Sequence, residues 1–260
     1  MIFIGERINT GFKEIKAAVL AHDANPIKEW AIKQTKAKAT YLDVNLGAAS
    51  SKVEDLCWMI EQVQSVSDLP ISIDTNKYPM LKEAVPLCKK PPLINSTTAI
   101  DAKMKEIFPI VAEYGCSIIG LVMDEAGSPK TVEKRVEIAG KILSTAMEFG
   151  IPPDHLFLDP IVMPLKYMQD QAKIILTAAS QFQLFSDPPP HVVCGLSNIS
   201  NGAIHKKLIN RTFAVMMAAS GMDAVILDVT DEELVNALIT ADLVMNRSIY
   251  ADSYLEAFRS

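Results

Sequence analysis

The chain has 260 residues, 49% hydrophobic and 22% charged, with a formal net charge of −6. That balance supplies a large core and a solvated surface rather than a disordered chain. It lacks the basic footprint that nucleic-acid phosphates demand, and it offers nothing to an anionic membrane surface. Cys57, Cys88, Cys116 and Cys194 stand far apart in apolar stretches with no C-x-x-C pair, as small core residues of a reducing compartment do. The opening MIFIGERIN meets charge too early for an apolar targeting core, and no run of about 18 apolar residues is present. The expectation is a cytoplasmic protein without a membrane span.

Short apolar runs alternate with segments of helical period from end to end. Ile2–Ile4 is the first run, and Asn25-Pro26 then reads as the cap and first-turn proline of a helix burying Ile27, Trp30 and Ala31. Thr40–Asn45 follows, before a capping box, Ser51-x-x-Glu54, ahead of Leu56, Ile60 and Val63. Pro70–Asp74 and Pro92–Asn95 come next, and Met104, Ile107, Phe108 and Val111 repeat the helical stripe. Ser117–Met123 precedes a helix starting near Pro129 whose stripe is Ala139, Ile142, Leu143 and Ala146, closed by Gly150. His155–Asp159 is the sixth run. The stiff loop Pro188-Pro189-Pro190 leads into Val192–Leu196, and the helix holding Phe213, Met216 and Met217 stops at Gly221. Ala224–Asp228 is last, before a helix with acidic Asp231-Glu232-Glu233 at its start and Arg247 near its end, which suits the helix dipole.

Near-continuous apolar runs are what parallel strands covered on both faces require. Eight of them, separated by helical segments, predict a single-domain (β/α)8 TIM barrel over residues 1–260, a usual size for that fold. A doubly wound open sheet would carry a glycine-rich phosphate loop after its first strand, and Gly5-Glu6-Arg7 is not one.

Polar residues gather at the C-terminal ends of the runs: Asp43 and Asn45, Asp74-Thr75-Asn76, Asn95-Ser96-Thr97, Asp124-Glu125, Asp159, and Ser197-Asn198. In a barrel these ends share one mouth, where active sites are built. A single Asp or Asn at such a junction is usually a helix cap; a recurrence at strand after strand is harder to explain so. His22, His155, His191 and His205 are scattered, which argues against a metal site. No nucleophile elbow, Walker loop or G-x-G-x-x-G is present. A cup of carboxylates and amides suits a neutral heterocycle rich in N–H donors and carbonyl acceptors, and a pterin fits that description.

Gly5-Glu6-Arg7-Ile8-Asn9, Asp43-x-Asn45-x-Gly47, Asp74-Thr75, Ile94-Asn95-Ser96-Thr97, Asp159-Pro160, Gly195-Leu196-Ser197-Asn198 and Ile209-Asn210-Arg211-Thr212-Phe213 together resemble the pterin-binding barrel family. Within it they look most like the methyltetrahydrofolate:corrinoid protein methyltransferases of anaerobic one-carbon metabolism, over essentially the whole chain. The resemblance implies that Asp74, Asn95 and Asp159 bond the pterin ring, that Asn198 reaches N5, and that Gly195 and Ser197 line the same pocket. Asn201 and Lys206 fall near the folate tail or the partner, with lysine at 206 where an arginine is expected. Glu6, Asn9, Asp43 and Asn45 either touch substrate or brace those that do. Asp124-Glu125-Ala126-Gly127 resembles an acidic loop of the folate module of cobalamin-dependent methionine synthase; otherwise it is a solvated turn.

The same resemblance implies transfer of the N5 methyl group between methyltetrahydrofolate and a corrinoid. No Asp-x-His-x-x-Gly ligand motif for a cobalamin of its own is present, so the corrinoid (cobalamin) is expected on a separate protein that docks transiently at the mouth, with the barrel itself a homodimer and no tightly bound metal. A dihydropteroate-synthase-like enzyme is the rival within the fold, but Ser197-Asn198-Ile199 and Leu227-Asp228-Val229 stand where it needs a serine-arginine-lysine segment and an arginine-x-histidine. A non-catalytic folate-binding scaffold for a corrinoid protein is the third reading.

Overall fold

Both faces of each strand must be covered by side chains, and the strands meet this with short runs of β-branched and apolar residues. A computed structural model describes residues 1–250; residues 251–260 of the expected domain lie outside the described residues. The strands are β1 (Ile2–Asn9), β2 (Tyr41–Asn45), β3 (Ile71–Asp74), β4 (Leu93–Thr98), β5 (Ser117–Leu121), β6 (Leu156–Asp159), β7 (His191–Gly195) and β8 (Ala224–Leu227). Each pairs in parallel with the next, and β8 returns to β1 from Ile2↔Ala224 to Gly5↔Leu227, so the sheet closes into a barrel in sequence order. The architecture is the TIM barrel that the alternation of runs predicts. Its first strand extends beyond Ile4 to Asn9, because Gly5, Glu6 and Arg7 interrupt the apolar run without interrupting pairing to β2, where the register shifts between Gly5 and Ile8.

The helices are α1 (Lys13–Ala21), α2 (Asn25–Lys36), α3 (Val53–Gln64), α4 (Tyr78–Ala84), α5 (Asp101–Tyr114), α6 (Val132–Glu148), α7 (Gln171–Phe182), α8 (Lys206–Ala219) and α9 (Glu232–Val244). Several boundaries differ from the sequence expectation. Ser51-x-x-Glu54 makes no capping box: Ser50 Oγ accepts from the Lys52 N–H at 3.1 Å, and α3 starts after Lys52 with no side-chain cap. Asn25 is the first helical residue rather than the cap, and Asp23 Oδ1 accepts its N–H at 3.0 Å. The helix after β5 begins not at Pro129 but behind Thr131, whose side chain accepts from the Lys134 N–H. Asp231 does cap α9, accepting from the Leu234 N–H at 3.2 Å. Arg247 lies past α9 and donates instead to Ala218 O at 2.9 Å, at the end of α8, and to Met222 O at 3.0 Å.

The core has two layers. Outward residues such as Leu42, Ile73, Ile118, Leu158 and Val225 pack under the helices. Ile4, Leu93, Ile119, Phe157, Val193 and Ala224 fill the barrel interior. Stepping two residues along each strand from that interior set leads from Ile4 to Glu6, from Leu93 to Asn95, from Phe157 to Asp159 and from Val193 to Gly195. The top of the interior is therefore polar, and on β2 and β3 buried Asp43 and Ser72 carry that polarity down to the level of Leu93. Cys116 and Cys194 are buried, Cys57 and Cys88 half-buried, and all are free thiols. Among the described residues no helix is long and apolar enough to cross a membrane.

Candidate active site

On one side of the mouth the register puts polar strand ends level with each other: Asn9 beside Asn45, Asn45 beside Asp74, and Asp74 beside Asn95. Asn45 Nδ2 donates to Asp74 Oδ2. Asp43 Oδ1 accepts from Ser72 Oγ at 2.6 Å and from Asn95 Nδ2 at 3.2 Å. Asp74 and Asn95 thus enter a cavity of about 310 Å³ already oriented by their neighbours. Gly47 shapes its lip: at φ +53° a Cβ would meet Thr10 Oγ1 at 2.6 Å, the hydroxyl that donates to Leu46 O. Burial drives the Asp43 carboxyl well above the usual range, and the neighbouring Asp74 charge pushes the same way. Asp74 is raised to about 6 by burial, offset in part by the Asn45 donor.

Asp159 closes β6 and is 8% exposed. Burial raises it to about 6, against the N–H groups of Ile161 and Gly195 and the Arg135 charge, which favour the ionised form. The Ile161 N–H lies 2.7 Å from Asp159 Oδ1. Arg135 is fully buried on α6 and donates to Pro160 O and to Gln171 Oε1 at 3.2 Å, which fixes the chain just after Asp159.

The opposite side is looser. β7 runs into one short helical turn, Leu196–Asn198, on which Ser197 and Asn198 are both exposed. Ser197 Oγ donates past β8 to Glu6 on β1, 2.9 and 3.1 Å from its two oxygens. Burial raises the Glu6 carboxyl and the Ser197 bond lowers it; Asp228 raises it further, and Arg7 opposes. Arg7 is itself clamped between Phe12 and Trp30, 4.1 Å from each ring centroid, and 3.6 Å from Asp228. A Cβ on Gly195 would lie 3.1 Å from Asn198 Nδ2, so the glycine leaves room for that amide. Asn198 does not cap the next helix, because α8 starts at Lys206 behind His205.

The expected site residues therefore fall into three groups. Asp43 with Asn95, and Asn45 with Asp74, form one wall, with Asp159 further round the rim. Glu6 and Ser197 join β1 to the β7 turn beside Gly195 and Asn198. Asn201 and Lys206 are exposed on the outer rim, where the Asn201 N–H donates to Asn198 O at 3.1 Å. Asn9 spends its side chain on its own turn, accepting from the Gly11 N–H at 2.7 Å. Asp124 also closes a turn, on Ala126, and pairs with Lys134 outside the wall. Ser72 and Arg135 were not anticipated. Each had a signal: Ser72 lies two residues inward from Asp74 on one strand face, and Arg135 occupies the core spacing of Ile138, Ala139 and Ile142.

Residues 5–228 match the family described as "Pterin binding enzyme". The chain belongs to that family. A methylcorrinoid:tetrahydrofolate methyltransferase from Eubacterium limosum is 33% identical across 100% of this enzyme and 96% of its own length. Methionine synthase from Mycobacterium leprae is 26% identical over 87% of the chain, which spans 20% of that much longer protein. This pterin-binding enzyme is a methyltransferase. Among solved structures, a 7,8-dihydropteroate synthase from Vibrio fischeri superposes with a TM-score of 0.69 at 17% identity, covering 95% of this chain and 94% of that one. A dihydropteroate synthase from Yersinia pestis does so at 0.67 and 16%, covering 95% and 94%. These two likenesses establish a common barrel and nothing finer.

Proposed function

We propose that this enzyme moves the N5 methyl group between methyltetrahydrofolate and the cobalt of a corrinoid carried on a separate protein. Its setting is anaerobic one-carbon metabolism, either the acetyl-CoA pathway or the tetrahydrofolate-methylating step of a demethylase system, and it acts as a homodimer. The observation that carries the reading is the pairing of a buried carboxylate–amide wall with an exposed amide, Asn198, at one barrel mouth.

Asp159 accepts from the aminopyrimidinone edge, and Asp74 and Asn95 complete the ring contacts. Asp43 and Asn45 orient them. Gly195 and Ser197 line the pocket beneath Asn198, and Asn201 and Lys206 meet the folate tail or the partner. The reduced corrinoid supplies the cobalt that takes the methyl. For N5 to leave as a neutral amine it must gain a proton as the N–CH₃ bond breaks. The Asn198 amide can accept from an N5–H and donate to an N5 lone pair, so it can follow that change with ordered water. A contact that strengthens toward the transition state accelerates the step, and the same contact serves the reverse direction.

The test is an anaerobic single-turnover reaction of methyltetrahydrofolate with reduced cobalamin, followed by the corrinoid's visible spectrum. Methylation matching the enzyme concentration is expected. Folate binding without transfer would leave a scaffold, and formation of dihydropteroate from a pterin pyrophosphate and 4-aminobenzoate, with release of pyrophosphate, would make this a synthase.

A further inference from the structure

We propose that the rim built by the loops after β6 and β7 is the landing surface for an acidic-faced protein that delivers the corrinoid; the inference rests on the methyl-transfer reading above. Three large apolar side chains stand in solvent there: Tyr167 at 69%, Ile204 at 92% and Leu208 at 67% exposure. Among the described residues, the loops after β2, β3 and β4 expose none of that kind, so the apolar surface is confined to the side that carries Asn198. A cluster of exposed apolar groups bounded by charge is the usual mark of a protein contact.

The rim is a built surface. The Leu165 N–H donates to Ile199 O at 2.9 Å, joining the two loops directly above the Asn198 turn. Gly202 has φ +75°, and a Cβ there would stand 3.2 Å from the Tyr167 hydroxyl and 3.3 Å from Lys166 Cδ, so the absent side chain lets the loops close on each other. The Ala203 N–H donates to Ser200 O at 2.9 Å and tightens the turn that presents Ile204.

Its charge runs against that of the whole chain. The formal net charge is −6, yet Lys166 lies here over the Tyr167 ring, 5.3 Å from its centroid, Lys206 and Lys207 open α8 beside it, and none of the three forms an ion pair among the described residues. Cations left uncompensated beside apolar groups favour a partner that brings its own carboxylates, and they add electrostatic steering to the encounter. A carrier seated here holds its corrinoid over Asn198 from the open side, above a folate held between Asp159 and the β2–β4 wall.

The experiment compares two acceptors, the organism's own corrinoid protein and free reduced cobalamin, for the unmodified enzyme and for Ile204→Asp, Tyr167→Ala and Lys166→Glu. With the carrier, the second-order rate should fall by about 10-fold or more for Ile204→Asp and Lys166→Glu. Its dependence on salt should flatten for Lys166→Glu. Transfer to free cobalamin, folate affinity and the unfolding temperature should stay near those of the unmodified enzyme. Unchanged rates with the carrier would overturn the rim assignment. An equal loss with both acceptors would overturn it too, placing these residues in the substrate pocket. Failure of the unmodified enzyme to methylate either acceptor would instead sink the underlying methyl-transfer reading.

Discussion

The two sides of the barrel mouth are built to opposite specifications. Between β2 and β4, buried Asp43 holds Ser72 and Asn95, and Asn45 holds Asp74, before any ligand arrives. At the end of β7 the Ser197–Asn198 turn is exposed and is tied to β1 through the Ser197 side chain, which bonds Glu6. Preorganised groups lower the cost of fixing a ligand and discriminate by shape. An amide left outside such a network is free to re-aim as charge moves at the reacting atom. Under the function proposed above, the wall serves recognition and the turn serves reaction.

The largest effect should follow from removing the exposed amide. Asn198→Ala should slow methyl transfer at saturating folate by about 10²-fold or more, by analogy with loss of a transition-state hydrogen-bond donor. The residue caps no helix, so thermal unfolding should shift little. A destabilised enzyme with normal transfer in stopped flow would erase the contrast.

Asp159, buried at the end of β6, belongs with the wall in recognition rather than in position, and Asp159→Asn should weaken methyltetrahydrofolate binding by roughly 2–4 kcal/mol, since a paired acceptor becomes a mixed donor and acceptor in a buried site. Calorimetry reads this directly, and an unchanged affinity would remove Asp159 from the binding wall. A smaller change should follow from cutting the tie between β1 and the turn. Glu6→Ala frees the Ser197 turn and should reduce transfer about 10-fold at unchanged folate affinity. Glu6→Gln keeps an acceptor for Ser197 and should restore most of the rate. If alanine and glutamine behave alike, the contact does not position the turn.

Much of this was legible in the sequence and some of it was not. The eight strands were, because burial on both faces leaves apolar runs that few other elements produce. The polar strand ends were too, since Asp74, Asn95 and Asp159 each terminate such a run. The extension of β1 to Asn9 was hidden, because Arg7 looks exposed until Phe12 and Trp30 fold over it from elements further along the chain. The short helix α4 and the first helix α1 bury only three residues each, too few for a clear stripe. Ser51-x-x-Glu54 failed because a neighbouring serine made the competing turn. The asymmetry of the mouth depends on which polar groups bond each other across strands, and residue order alone does not carry that.

The smallest effect concerns pH, and it takes opposite signs for binding and for folding. Asp159 and Asp74 are raised to about 6, above the range of an unfolded chain. Between the unfolded and folded values the native protein holds more protons than the unfolded one, so ligand-free stability should rise as pH is lowered from 7 toward 5. Folate affinity should fall over the same interval, because the acceptors it needs become protonated. Parallel trends in thermal unfolding and calorimetry would place the raised carboxyls outside the binding wall.

The division of labour is tested most directly by the single-turnover rate of Asp159→Asn at saturating methyltetrahydrofolate. If the wall recognises and the turn reacts, saturation should bring this variant to within a few-fold of the unmodified enzyme, while Asn198→Ala stays about 10²-fold slow under the same conditions. A rate for Asp159→Asn as depressed as that of Asn198→Ala would contradict the account, because a buried recognition carboxylate would then take part in the methyl transfer itself.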